Sequence, residues 1–323
     1  MVAYRDKNRI QTVATIGGGV IGSGWVAAFL GHGRSVRLYD PAQGAGERTR
    51  AHVAGAWEQM VELGLARAGD DWTTRFSLHR ELEEALAGAD FVQESTPERS
   101  DIKRTLFAEL DRLAAADVLI ASSTSSLPIS ELQAGLPGAG RFVLGHPFNP
   151  VHLIPLVEVG GGEETTPEAV DIALDLYAAI GKQPIRLKQE IFGHIGNRLT
   201  AAMAREAIRL VAEGYATVGD IDKAIKHSFA LKWAIQGLFT TFHTSGGAGG
   251  LAEFLPKFGP GIIKRWSTMA DPPLADETLQ ATLASQMEAA AEGRSVAEIA
   301  ARQDSKLMEL LKLLRSDGGK KHP

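Results

Sequence analysis

The sequence predicts an α/β protein, a Rossmann-type doubly wound sheet followed by an all-helical C-terminal domain. Three observations predict it. Short β-branched apolar runs alternate with helically spaced segments through the first half of the chain, and a glycine-rich turn joins the first run to the first helix. Beyond about residue 189 such runs stop and helical periodicity takes over. At 323 residues the chain exceeds what one hydrophobic core usually fills, so two domains are expected. Their expected bounds are 1–188 for the sheet domain, 189–315 for the helical domain and 316–323 for a disordered tail.

In order, residues 12–16 (TVATI) read as a buried strand ending in glycines, and 20–30 as a helix stopped by Gly31-His32-Gly33. Residues 35–39 (SVRLY) form a second strand that ends at Asp40-Pro41. Strand, helix, strand in succession is a βαβ unit and calls for parallel pairing. The alternation continues with a strand at 91–94, a charged helix at 101–113 and strands at 118–121, 142–145, 156–159 and 185–187. Helices are predicted near 195–213, 219–227, 231–243, 277–291 and 295–314, with Gly246 to Gly250 as a flexible break.

Composition narrows the function. Apolar content (44%) and charge density (23%) are those of a folded globular protein, and the net charge of −5 is slightly acidic. With Lys320-Lys321 as the one basic block, nucleic acid and anionic membranes are poor partners. No apolar run reaches membrane-spanning length, and the polar start, Met1 to Arg9, lacks a signal segment. The absence of cysteine excludes disulfides, thiolate nucleophiles and Cys-ligated metals. The nine histidines show no ligand spacing, so no metal site is expected. A cytoplasmic enzyme acting on a small molecule fits best.

Gly17-Gly18-Gly19-Val20-Ile21-Gly22 satisfies G-x-G-x-x-G and sits between a strand and a helix. Gly17 permits the tight turn, Gly19 lets backbone N–H groups approach a pyrophosphate, and Gly22 lets the helix pack closely on the strand. The motif alone is weak. Asp40, at the end of the second strand, supplies the missing context: its carboxylate would accept from ribose hydroxyls and repel a 2′-phosphate. Arg48 and Arg50 do not follow the Asp directly, as a phosphate-binding pair would. The expected cofactor is NAD.

Gly145-His146-Pro147-Phe148-Asn149-Pro150 follows a strand, and its two prolines prevent it from continuing as sheet or helix. A histidine at the carboxyl end of a parallel strand faces the crevice where doubly wound folds bind ligands. Glu158 lies in the next strand (LVEV), where a lone carboxylate is costly unless partnered. Paired with His146, it would fix the imidazole tautomer and raise its basicity, leaving the other ring nitrogen to take a hydroxyl proton. Ser122 to Ser126 follows another strand at the same edge. Its hydroxyls suit a substrate alcohol or the nicotinamide amide, and equally a helix cap before Leu127-Pro128. No G-x-S-x-G elbow is present to support a hydrolase.

Together these segments resemble the L-3-hydroxyacyl-CoA dehydrogenase superfamily. GGGVIG with Asp40, SSTSSLPIS, GHPFNP, LVEV and GNRL occur in the family's order and spacing, over nearly the whole chain. The resemblance implies an NAD-binding first domain and a helical second domain that dimerises. It implies His146 as general base, Glu158 as its orienting partner, Ser125 on the substrate oxygen and Asn197 as a substrate-positioning residue. Glu98 and Lys103 in PERSDIK, with Ser123, would lie on the cofactor side. One departure stands out: the family's usual Pro-Gly-Phe reads Phe192-Gly193-His194 here.

Within the superfamily the likeness is to members acting on free 3-hydroxy acids, carnitine especially and gulonate more distantly. A short 3-hydroxyacyl-CoA and a crystallin-like binding protein without activity are the alternatives. Lysine is absent between Asp40 and Lys103, which leaves a coenzyme A phosphate few anchors beyond Arg48, Arg50 and Arg67. A trimethylammonium group is bound by aromatic faces, and Trp233, Phe239 and Phe242, with His243, cluster in sequence. Aromatic residues at helical spacing also serve as ordinary core. Arg198 is the candidate cation for a free carboxylate.

Overall fold

The computed structural model describes residues 3–6 and 8–316. Two compact units divide after Arg198. The first contains β1 (Thr12–Ile16), α1 (Val20–Gly31), β2 (Ser35–Tyr39), α2 (Ala45–Glu62), β3 (Phe76–His79), α3 (Leu82–Leu86) and β4 (Phe91–Glu94). It continues with α4 (Ser100–Leu113), β5 (Leu119–Ser122), α5 (Ile129–Gln133), β6 (Phe142–Pro147), β7 (Leu156–Gly161), α6 (Pro167–Ala179) and β8 (Gln183–Arg186).

The eight strands form one sheet in the order β3-β2-β1-β4-β5-β6-β7-β8. Chain order reverses beside β1, which opens the crevice where doubly wound sheets take their ligands. Every pairing is parallel except β6 with β7. The connection 148–155 explains the exception, because it is shorter than the dozen or so residues of a parallel crossover.

Aromatic side chains pack both faces of the sheet. Phe107 of α4 stacks on Phe142 of β6 at 4.9 Å among Ile16, Val92, Ile120 and Leu144. Trp25 and Phe29 of α1 pack with Tyr177 of α6 and Phe91 of β4. Each such ring removes about 150–250 Å² from water, so these clusters dominate the core.

α7 (His194–Ala212) begins at the end of the first unit. The second unit adds α8 (Val218–Lys226), α9 (Phe229–Ser245), α10 (Gly250–Trp266), α11 (Glu277–Ala291) and α12 (Val296–Ser316). The expected flexible break is a short 3-10 turn at Gly247–Gly249, and α10 follows it. No helix was expected there, because Pro256 and Pro260 lie inside it and remove backbone donors. α9 is broken at Gly237, whose φ of 73° is not helical. Of the expected tail, Ser316 ends α12, and 317–323 lie outside the described residues. Among the described residues no helix is long and apolar enough to cross a membrane.

Candidate active site

The glycine turn is shaped to receive a dinucleotide. Gly17 has φ +99°, and a Cβ there would sit 2.7 Å from the Ser95 carbonyl oxygen. A Cβ on Gly22 would meet the Gly17 carbonyl oxygen at 1.8 Å, so both positions require glycine. Gly19 has open space around it, and as the N-cap of α1 it leaves the first-turn N–H groups uncapped. Such orphan donors, with the helix dipole behind them, suit a pyrophosphate. Val20 is exposed and Ile21 half-buried at the same turn. The Asp40 carboxylate accepts from Gly18 N (2.7 Å) and Ala42 N (2.8 Å), which fixes it beside the turn.

Across the sheet, the antiparallel register sets His146 directly opposite Glu158. His146 Nδ1 lies 2.8 Å from Glu158 Oε2. Both side chains are buried, and Glu158 Oε1 accepts from the backbone N–H groups of Ile195 and Gly196, each at 2.9 Å. Those N–H groups open α7, so the carboxylate rests on a helix N-terminus. Burial alone would raise the Glu158 carboxyl; the His146 and Gly196 hydrogen bonds outweigh it and hold the group below the ordinary carboxylate value. An ionised Glu158 can only accept, so Nδ1 carries the imidazole proton and Nε2 keeps its lone pair.

Glu98 organises the serine loop after β5. Its Oε1 accepts from the Thr124 hydroxyl (2.8 Å), the amides of Ser125 and Ser126, and both serine hydroxyls. Burial acts to raise the Glu98 carboxyl, but the Thr124 hydroxyl, the Lys103 charge and Ser126 hold it below its ordinary value. Lys103 is 1% exposed and spends its protons inside the protein, on both Glu94 oxygens (2.7 and 2.9 Å) and Thr96 O (3.2 Å). It sits 3.7 Å from Glu98 and therefore acts on the cleft through that carboxylate. Asn197 Nδ2 donates to Ser125 O at 3.3 Å, tying the start of α7 to the same loop.

A cavity of about 190 Å³ collects Ile21, Ser95, Glu98, Ser123, Ser125 and His146. Residues expected of the cofactor and of the chemistry thus share one space. Arg198 is exposed and donates to Phe192 O at 3.3 Å. The aromatic residues of the second unit are dispersed instead. Trp233 packs on Phe229 at 4.4 Å, Phe242 stacks on Phe254 at 4.7 Å, and Phe239 is 71% exposed. The break at Gly237 separates Trp233 from the other two, so helical spacing does not carry across them. Among the described residues no group of three potential ligands could hold a metal.

Two residues lie near His146: His194, which the sequence marked only as part of the departure from Pro-Gly-Phe, and Ser95, which it did not single out. His194 has φ 51°, is 4% exposed and lies 5.1 Å from the His146 ring centroid. Its Nε2 donates to Thr124 O at 3.0 Å, and burial holds the ring below the ordinary imidazole value. The departure from Pro-Gly-Phe was the available signal. Ser95 gave none, since one serine after a strand is common.

The fold, the glycine turn and the His146–Glu158 pair at the sheet edge fit a dinucleotide-dependent oxidoreductase. Residues 12–191 match the 3-hydroxyacyl-CoA dehydrogenase NAD binding domain, and 193–288 match the C-terminal domain of the same family. The chain belongs to the 3-hydroxyacyl-CoA dehydrogenase family and is an NAD-dependent enzyme. It is 45% identical to the L-carnitine dehydrogenase of Streptomyces griseus over 94% of this chain and 90% of that one. It is 46% identical to the L-carnitine dehydrogenase of Nocardiopsis dassonvillei, over 97% and 94%. Among solved structures, a 5-formyl-3-hydroxy-2-methylpyridine 4-carboxylic acid 5-dehydrogenase, an NAD+-dependent dismutase, is 28% identical with a TM-score of 0.75. That match covers 95% of this chain and 99% of the other.

Proposed function

We propose that the enzyme oxidises the C3 secondary alcohol of a free 3-hydroxy acid, L-carnitine foremost, to the 3-keto product. The observation that carries the chemistry is the 2.8 Å contact of His146 with a carboxylate anchored on a helix N-terminus, at the wall of the cavity that Ile21 also lines. The substrate assignment rests on the carnitine-oxidising relatives that match almost end to end.

NAD would be held by the turn Gly17 to Gly22, with Asp40 available to its adenosine ribose, and would supply the hydride acceptor. His146 Nε2 takes the carbinol proton, and Glu158 stabilises the imidazolium that results. The Ser125 hydroxyl holds the substrate oxygen, and Asn197 keeps that loop in place through its bond to Ser125 O. Arg198 is the proposed counter-ion of the carboxylate.

Homodimerisation through the helical unit belongs to the same proposal. Leu255, Phe258, Ile263 and Trp266 recur at i, i+3, i+8 and i+11 on α10 and are 40–64% exposed. A second copy would cover that face. A cytoplasmic location is also proposed, supported by a cysteine-free chain that depends on NAD.

Steady-state assays with L-carnitine, gulonate and 3-hydroxybutyryl-CoA test the substrate. Carnitine is expected to give the highest kcat/KM. Turnover of the thioester alone would overturn the free-acid reading.

A further inference from the structure

Beside the His146–Glu158 pair, the first unit holds a half-buried chain of hydrogen bonds whose proton directions can be worked out. Ser123 Oγ lies 3.0 Å from Trp25 Nε1, 3.0 Å from Gln93 Nε2 and 2.8 Å from Ser95 Oγ. An indole N–H only donates. The Gln93 amide is oriented by its other contacts, with Nε2 toward the Gly145 carbonyl and Oε1 accepting from the Tyr177 hydroxyl at 2.6 Å. Both lone pairs of Ser123 are therefore filled, by Trp25 and Gln93. The Ser123 proton has one acceptor left, Ser95 Oγ. Having accepted it, Ser95 keeps its own proton for the cavity that it lines with Ile21, Ser125 and His146.

The position of Ser95 decides what meets that proton. It follows β4, with its amide on Ile16 O, directly against the Gly17 turn. In the sheet order β1-β4-β5-β6, β4 lies between the turn after β1 and His146 on β6. A dinucleotide with its pyrophosphate on the turn and its reactive carbon facing His146 must pass its nicotinamide over this position.

We propose that Ser95 is a cofactor-positioning residue whose hydroxyl donates to the nicotinamide carboxamide oxygen, its proton directed there by the Trp25–Gln93–Ser123 chain. The carboxamide oxygen is the acceptor on the nicotinamide ring, and a donor fixed in direction before binding loses little freedom when it is used. The proposal rests on the dehydrogenase reading for the direction in which the cofactor lies.

Fluorescence titration of Ser95→Ala with NADH and with ADP-ribose, which lacks the nicotinamide, tests it. The dissociation constant for NADH should rise about five- to tenfold, the loss of one hydrogen bond. That for ADP-ribose should stay within about twofold of wild type, which also reports that the variant is folded. The KM for NAD should rise with kcat at saturating cofactor largely kept. Unchanged NADH affinity, or equal weakening of both ligands, would overturn the assignment. Because both titrations read binding, they remain interpretable even if His146 proves not to be the base.

Discussion

The two units of this chain bury their side chains differently. In the first, polar and charged side chains pair inside the protein: Lys103 on Glu94, Glu158 on His146, and the half-buried Ser123 on Trp25 and Gln93. In the second, the buried apolar residues among those described are few, namely Val211, Phe254, Leu279, Met308 and Leu311. Large apolar side chains such as Leu231, Ile235, Ile263 and Trp266 are 60–73% exposed. The first unit is complete by itself, and its charges are held at defined places for chemistry. The second carries apolar surface that a folded domain does not leave in water.

The sharpest way to break this comparison is to remove one partner of the first unit's internal charge pair. Lys103→Met would leave Glu94 buried without its cation, and denaturant unfolding should show a loss of about 3–5 kcal/mol. An unchanged midpoint would mean that the pair is not the tightly matched element it looks to be. A smaller effect is expected from the second unit. Ile263→Asp on α10 should shift the dimer toward monomer by roughly tenfold or more in sedimentation equilibrium, while NADH binding by the first unit persists. A wild-type chain that sediments as a monomer would contradict the dimer proposal.

The same contrast decides what could be read from the sequence. The glycine turn, Asp40 and the His146–Glu158 pair were legible because each sits at or in a readable strand and the combination is more specific than any one part. Antiparallel pairing of β6 with β7 was hidden, yet it is what sets His146 opposite Glu158. The helix α10 was missed because its prolines and flanking glycines argue locally against it, and tertiary packing of Phe254 on Phe242 overrides them. Strand β8 (Gln183–Arg186) begins two residues and ends one residue earlier than the apolar run 185–187 suggested, because its pairing with β7, not hydrophobicity, sets its limits. Lys103 was expected on the cofactor side of the cleft. Only the fold reveals Glu94 beneath it. Ser95 and His194 meet neighbours distant in sequence; the departure from Pro-Gly-Phe marked His194, and no local pattern marked Ser95.

The central claim is that His146, oriented by Glu158, removes the carbinol proton. The most direct measurement is the kcat of His146→Gln with L-carnitine and NAD, alongside NADH binding by the same variant. At least about a hundredfold loss of turnover with cofactor affinity retained is the expected result. Turnover equal to wild type would contradict it.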